Sequence, residues 1–566
     1  MAFDLKSFAA QVRPSPRRPS PEPFAGSVFD AGSPQYVRPE DLFLDIQGHL
    51  FNLDRKSTQQ LGGIDPADFK KRWIRDGTPG LALQRIGYVT NEHLADSVMS
   101  LLRCSQRKKA LHPTLLPMVP TLGLYKNIKP NLPNFLNDQL RPALSFADEA
   151  TFPQRVTTLK ERLSSGTHAD DSLKQLAFAL LPSAGSANLQ PAAHVVELHK
   201  GPLLKDFTTN PTRPLPICRS LKEAIDTLIA LEAHLPRILW TQWLTATLRL
   251  WLPLFFLKRC AVSKAAAQTA RNALLNNTVP PPAELTATLF GTNGILRGSR
   301  EWLNQLAPII QNYVRARFEL SILLELSNLH ERLAAHGLDP ADSAHAQRIA
   351  RELAPYEVNP AAANNVPFPD PEGICDDGQL CMPGDPGTDR LAFDIWLTWL
   401  ATNRPALDAL ARAIGASDVL NLVDRVYAFI RPDYEPLRSG FGKNAYEYVA
   451  FALGAPRKVD RDPEFPDEFN LIYRGEGGRR SRQIMVQPGP ELLTLLVQLV
   501  SHQATARYQT TAKLSDLLDL FDALGVDFRS SPDDFDTLKA DLLRLGLLQS
   551  SADAAEAASL KSAYSF

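Results

Sequence analysis

Apolar positions recur every three or four residues over several long stretches of the chain, and such stripes predict amphipathic helices. Leu221, Ile225, Leu228 and Leu235 form one series. A longer one runs from Trp302 to Leu333 through Leu303, Leu306, Ile310, Val314, Phe318, Ile322, Leu326 and Leu329. Ahead of the first, Ser220-Leu221-Lys222-Glu223 matches a capping box, in which serine hydroxyl and glutamate carboxylate satisfy backbone amides reciprocally. Inside the second, Pro308 predicts a kink or a later helix start. Ile238 to Leu257 is apolar almost all round, with Trp240, Trp243, Trp251, Phe255 and Phe256. Gln242, Arg249 and Pro253 interrupt it. A charge near a bilayer centre costs roughly 2.5–3.5 kcal/mol, so this stretch reads as a buried helix rather than a membrane span.

The pattern changes near the C-terminus. Phe469 to Tyr473 and Gln483 to Val486 are short β-type runs, and the Gly-rich segment Arg474 to Arg482 joins them, which predicts a hairpin with a long tip. Helices then resume with readable punctuation. Pro490 opens one carried by Leu492, Leu493, Leu495, Leu496 and Leu499. Leu514, Leu517, Leu518, Phe521 and Leu524 carry a second, which Gly525 stops in the manner of a left-handed cap. Ser531-Pro532-Asp533 starts a third, with Phe535, Leu538, Leu542 and Leu545 on its apolar face and Gly546 at its end. Leu547 to Gln549 and Leu560 to Tyr564 would supply the two strands of a wing. The expected fold is therefore mainly α: a multi-domain helical protein with a β-hairpin and a winged-helix-like C-terminal domain.

At 566 residues, the chain exceeds what one ordinary core supports. Its punctuation divides it into a Pro/Arg-rich, disordered arm over 1–40, a mixed, mostly helical domain over 41–214 and a helical domain over 215–355. An acidic, Pro-rich linker or loop follows over 356–390, then a helical region with the basic hairpin over 391–489 and the winged-helix-like domain over 490–566. Composition is globular, 44% hydrophobic and 22% charged, and the net charge of -1 gives no global field toward nucleic acid or anionic membrane. Five cysteines without a secretory leader point to reduced thiols and a cytoplasmic location. No membrane association is expected.

No catalytic signature stands out. His194 and His199 flank Glu197, but two histidines five apart face different sides of a helix or a strand, so they do not form a zinc pair. Cys375 and Cys381 lack the second pair that structural zinc uses. Gly291 to Gly298 resembles a phosphate-binding glycine loop, yet lacks its Lys-Ser/Thr ending and reads as a turn between two helices. Asp433, Glu435, Lys443 and Glu447 are loosely grouped acids with a lysine, without nuclease spacing. The expectation is a protein with no enzymatic activity, no cofactor and no metal.

Basic patches carry more. The hairpin connection holds Arg474, Arg479, Arg480 and Arg482 against Glu476, a local charge of +3 on a glycine scaffold that lets guanidinium forks and backbone amides meet phosphate. These four arginines are the expected nucleic-acid contacts. Arg103, Arg107, Lys108 and Lys109 form a secondary basic patch, although cations closing a helix are favoured by its dipole alone. The third C-terminal helix argues the other way. Asp533, Asp534, Asp536 and Asp541 outnumber Lys539 and Arg544, so this helix suits a protein partner better than a major groove.

Arg431 to Tyr434 and Gly440 to Tyr448, with the basic hairpin and the leucine-rich ending, give the last 140 residues or so a texture that resembles large helical accessory subunits of multi-gene bacterial antiphage defence systems. The methylation-associated and phosphorothioation-dependent restriction systems are the nearest comparison. The resemblance implies a non-catalytic subunit that engages DNA together with partners such as an ATPase, a methyltransferase or a nuclease. A protein-only assembly scaffold and a metal-dependent nuclease with a site assembled from distant residues are the alternatives.

Overall fold

The computed structural model describes residues 216–235, 237–291, 294–339, 342–345, 392–434, 440–454, 469–474, 484–507, 511–549 and 557–564, with the single positions Gln154 and Thr158. The arm over 1–40, nearly all of 41–214 and the acidic segment over 356–390 lie outside the described residues.

Among the described residues the longest helix is built around the apolar stretch 238–257. α1 spans Pro216–Leu231 and α2 spans Arg237–Asn276, the latter with Pro253 inside it. A helical stretch that is apolar on nearly every side must be covered on nearly every side, and in α2 this holds from Trp243 to Cys260, whereas Lys264, Gln268 and Asn272 farther along are exposed. Trp240, Trp243, Trp251, Phe255 and Phe256 are all fully buried. Around it come α3 (Pro282–Phe290), α4 (Trp302–Ala335), α5 (Ala392–Thr402), α6 (Arg404–Ala413), α7 (Val419–Tyr434) and α8 (Gly440–Ala452). α2 packs along α4 and also meets α1, α5 and α8, while α4 contacts α7 and α8. Among the described residues no helix is long and apolar enough to cross a membrane. The described residues are mainly helical, with eleven α-helices in all.

Three further helices complete that number: α9 (Pro490–Ala506), α10 (Leu514–Leu524) and α11 (Pro532–Arg544). Their ends follow the sequence punctuation. Pro490 and Pro532 occupy the first turns, and Gly525 closes α10 at φ 80°, a left-handed conformation that glycine adopts without a Cβ penalty. Lys513 bridges Ser559 between α9 and α10, and Leu548 bridges Leu560 after α11, both antiparallel. The leucine faces of α9, α10 and α11 join the same continuous core as α1, α2 and α4.

Two small sheets stitch distant parts together. β2 (Ile472–Arg474) and β3 (Ile484–Val486) form the expected antiparallel hairpin, with Tyr473 opposite Met485. β1 (Leu296–Arg297) runs parallel to β4 (Val526–Asp527), Leu296 against Val526. Here the sequence expectation needs correcting: 291–298 is not only a turn between α3 and α4, because it contains a strand. A two-residue strand is too short to leave a periodicity, and its partner lies more than two hundred positions away. The glycines there serve close packing. A Cβ on Gly298 would fall 2.3 Å from the Phe528 ring, and one on Gly294 would fall 2.6 Å from Cβ of Asp527.

Two helix starts also differ from or refine the sequence reading. Ser220 is not a cap: α1 begins at Pro216, and Ser220 Oγ donates to the Ile217 carbonyl at 2.9 Å from inside the first turns. Proline at a first helical position set the start four residues earlier than the capping pattern did. Pro308 lies inside α4 without delaying its start, which is at Trp302.

Candidate nucleic-acid interface

The hairpin is held at its root by three separate parts of the protein. On the outer edge of β3, Glu301 pairs with Met485, the Ser299 amide donates to the Val486 carbonyl at 2.6 Å, and the Val486 amide donates to the Arg300 carbonyl at 3.1 Å. Residues 299–301, the lead-in to α4, thus add a third strand-like edge. On the entry side, the amides of Leu471 and Ile472 both donate to the Leu453 carbonyl at 3.1 Å, tying β2 to the end of α8. On the exit side, Gln487 donates through Nε2 to Asp541 Oδ2 of α11 at 2.5 Å.

Of the four expected contacts, Arg474 ends β2, where its backbone pairs with Ile484. Arg479, Arg480 and Arg482 sit in the connection 475–483, outside the described residues, as does the secondary patch of Arg103, Arg107, Lys108 and Lys109. His194, His199, Cys375, Cys381 and Glu435 lie outside them too. Lys443 and Glu447 form an ion pair at 3.7 Å one turn apart on α8, an ordinary helix-surface contact. Among the described residues no group of three or more His, Cys, Asp or Glu side chains could hold a metal ion.

Sequence reading overlooked two basic residues beside the hairpin root. Arg297 and Arg300 flank Gly298 and Ser299, and both are exposed. Gln305 in the first turns of α4 fixes the loop that bears them. Its Oε1 accepts from the Arg297 amide at 2.6 Å, and its Nε2 donates to the Arg297 carbonyl at 3.2 Å. The signal was present as two arginines around a glycine, but it fell inside a segment read only for its resemblance to a phosphate loop.

Acidic groups temper the patch. Asp527 accepts from the amides of Arg529 and Ser530, each at 2.9 Å. Burial pushes its carboxyl up, but those hydrogen bonds and the charge of Arg297 bring it below the ordinary carboxylate value. Asp534, in the first turn of α11, goes the other way. It is 2% exposed, and burial raises its carboxyl above the ordinary value in spite of the opposing pull of Arg300. The acidic face of α11 is consequently smaller than its sequence suggests. Asp534 points inward and Asp541 is engaged by Gln487 and, at 3.0 Å, by Arg544. Asp533 and Asp536 remain exposed, with Leu543 exposed on the same helix.

No family model matches the chain, and no curated protein or solved structure matches it.

Proposed function

We propose that this protein is a non-catalytic helical subunit of a bacterial DNA-targeting antiphage defence complex, one that contacts DNA through the basic hairpin and partner proteins through its C-terminal helices. The observation that carries the DNA half is the anchored hairpin root with Arg297 and Arg300 exposed beside it. Arg297 and Arg300, on a loop fixed by Gln305 and by its pairing with β3, lose less freedom on meeting phosphate than arginines on a free loop. Replacing Arg474, Arg479, Arg480 and Arg482 with alanine is expected to weaken retention on duplex DNA and to flatten its salt dependence by about 0.9 in the log–log slope per lost phosphate contact. Wild-type protein that shows no salt-sensitive retention, alone or with its partners, removes this half of the proposal.

The C-terminal arrangement supports a winged-helix reading. Helix, bridge, helix, helix and two bridged segments follow one another from α9 to Leu560, with Leu560 next to Leu548 and Ser559 next to Lys513. In that reading α11 takes the place of a recognition helix, and its exposed Asp533, Asp536 and Leu543 suit a protein surface better than a phosphate backbone. The same observation favours a second reading, a protein-only assembly scaffold. Co-purification of partners that survives both nuclease treatment and the arginine substitutions would favour the scaffold. The resemblance of the last 140 residues or so to defence-system subunits supplies the candidate partners: an ATPase, a methyltransferase or a nuclease encoded nearby.

A further inference from the structure

We infer that Arg249 and Asn470 form a buried lock that positions the hairpin, so that Asn470 is a positioning residue for the proposed DNA contact although it lies outside the basic segment. The inference rests on the DNA-contact reading of the hairpin. Arg249 lies among the buried apolar side chains of α2 and is 4% exposed. A guanidinium kept at such a place needs polar partners, and its Nη2 donates to Asn470 Oδ1 at 3.3 Å. Asn470 lies two residues before β2 and is itself buried. Its carbonyl accepts from the Gly489 amide at 2.8 Å, and the next residue, Leu471, accepts from the Gln487 amide at 2.9 Å. The chain entering the hairpin is thereby fastened to the chain leaving it, just before α9.

Gly454 closes the arrangement from the other side. It lies in the turn just after α8 at φ 108°, and a Cβ there would lie 2.3 Å from Asn470 Cγ. The Asn470 side chain is therefore clamped between the α8 terminus and the middle of α2. A hydrogen bond made at this depth fixes where β2 leaves the helical body, and with it the backbone of the strand that ends at Arg474.

The test uses the full chain with a fluorescent DNA duplex, and follows amide hydrogen exchange alongside. Asn470→Ala should weaken DNA retention about tenfold, the size of one hydrogen bond carried into binding. It should also speed exchange in 471–474 and 484–487 while leaving α2 and α4 protected. Asn470→Asp, which keeps the acceptor and the shape, should restore both. Arg249→Lys, which keeps the charge but loses the planar fork, should behave like the alanine variant. Wild-type retention by Asn470→Ala, while the four-arginine variant has lost it, overturns the positioning role and leaves the hairpin contact standing. Wild-type retention by the four-arginine variant instead removes the underlying reading. Loss of protection throughout α2 and α4 in both Asn470→Ala and Arg249→Lys would make the pair a core contact and also overturns the inference.

Discussion

Trp251 Nε1 donates to Ser220 Oγ at 2.9 Å, joining the middle of α2 to the first turns of α1 through two buried side chains. The hydroxyl passes the interaction on by donating to the Ile217 carbonyl. Ser220→Ala should leave a buried indole N–H without its acceptor and cost about 1–3 kcal/mol. Trp251→Phe removes the donor, so a double-mutant cycle by chemical denaturation should show the two changes to be strongly coupled. Simple additivity would mean that Ser220 contributes through something other than Trp251.

Gly454 offers a check on the clamp around Asn470. Its φ of 108° disfavours any side chain, and the Asn470 side chain occupies the place of a Cβ. Strain and overpacking together should make Gly454→Ala destabilising by about 2–4 kcal/mol. Gly337 at φ 64° and Gly415 at φ 95° have nothing within 4 Å of such a Cβ, so alanine there should cost only about 1 kcal/mol of strain. Equal losses at the three positions would refute close packing at Gly454.

The ion cluster joining α2, α4 and α7 separates buried from exposed charge. Glu319 Oε1 accepts from Arg271 Nη2 and Arg315 Nε, each at 2.9 Å, and Asp424 accepts from Arg271 at 2.6 Å. The side chain of Glu319 is 8% exposed, that of Asp424 51%. Glu319→Gln should therefore cost about 2–4 kcal/mol, and Asp424→Asn less than about 1 kcal/mol. Thermal unfolding of the two variants side by side would decide it, and a larger loss from the aspartate change would show that burial is not what governs this cluster.

Asp534 predicts a pH dependence of defined sign. Burial raises its folded carboxyl above the ordinary value, so the folded state holds the proton more tightly than the unfolded chain does. Stability is then lost as pH rises from the unfolded value near ~3.9 through the raised folded value, and stays lowered at neutral pH. Asp534→Asn keeps the shape without the charge and should gain about 1 kcal/mol at pH 7. Denaturant unfolding at pH 7 and at pH 4 should show that gain shrinking in acid; a gain independent of pH would contradict the account.

What the sequence by itself determined is local in origin. The stripes that became α1, α4, α9, α10 and α11 were legible because a helix repeats its buried face every few residues, and Pro490, Gly525 and Pro532 marked their ends through backbone preferences of single residues. The two strands of the hairpin were legible for the same reason, as was the burial of 238–257. Only the tertiary structure decided what those elements do to one another. Ser220 carries the local signature of a cap, but a proline set the helix start earlier and a tryptophan thirty-one residues on claimed the hydroxyl. The glycines of 291–298 answer to a strand from the C-terminal region. For the proposed interface, the sequence reading named the arginines of 474–482 and passed over Arg297, Arg300 and Asn470. Their significance comes from pairings with segments far off along the chain, and no pattern along the chain encodes which distant group a side chain will meet.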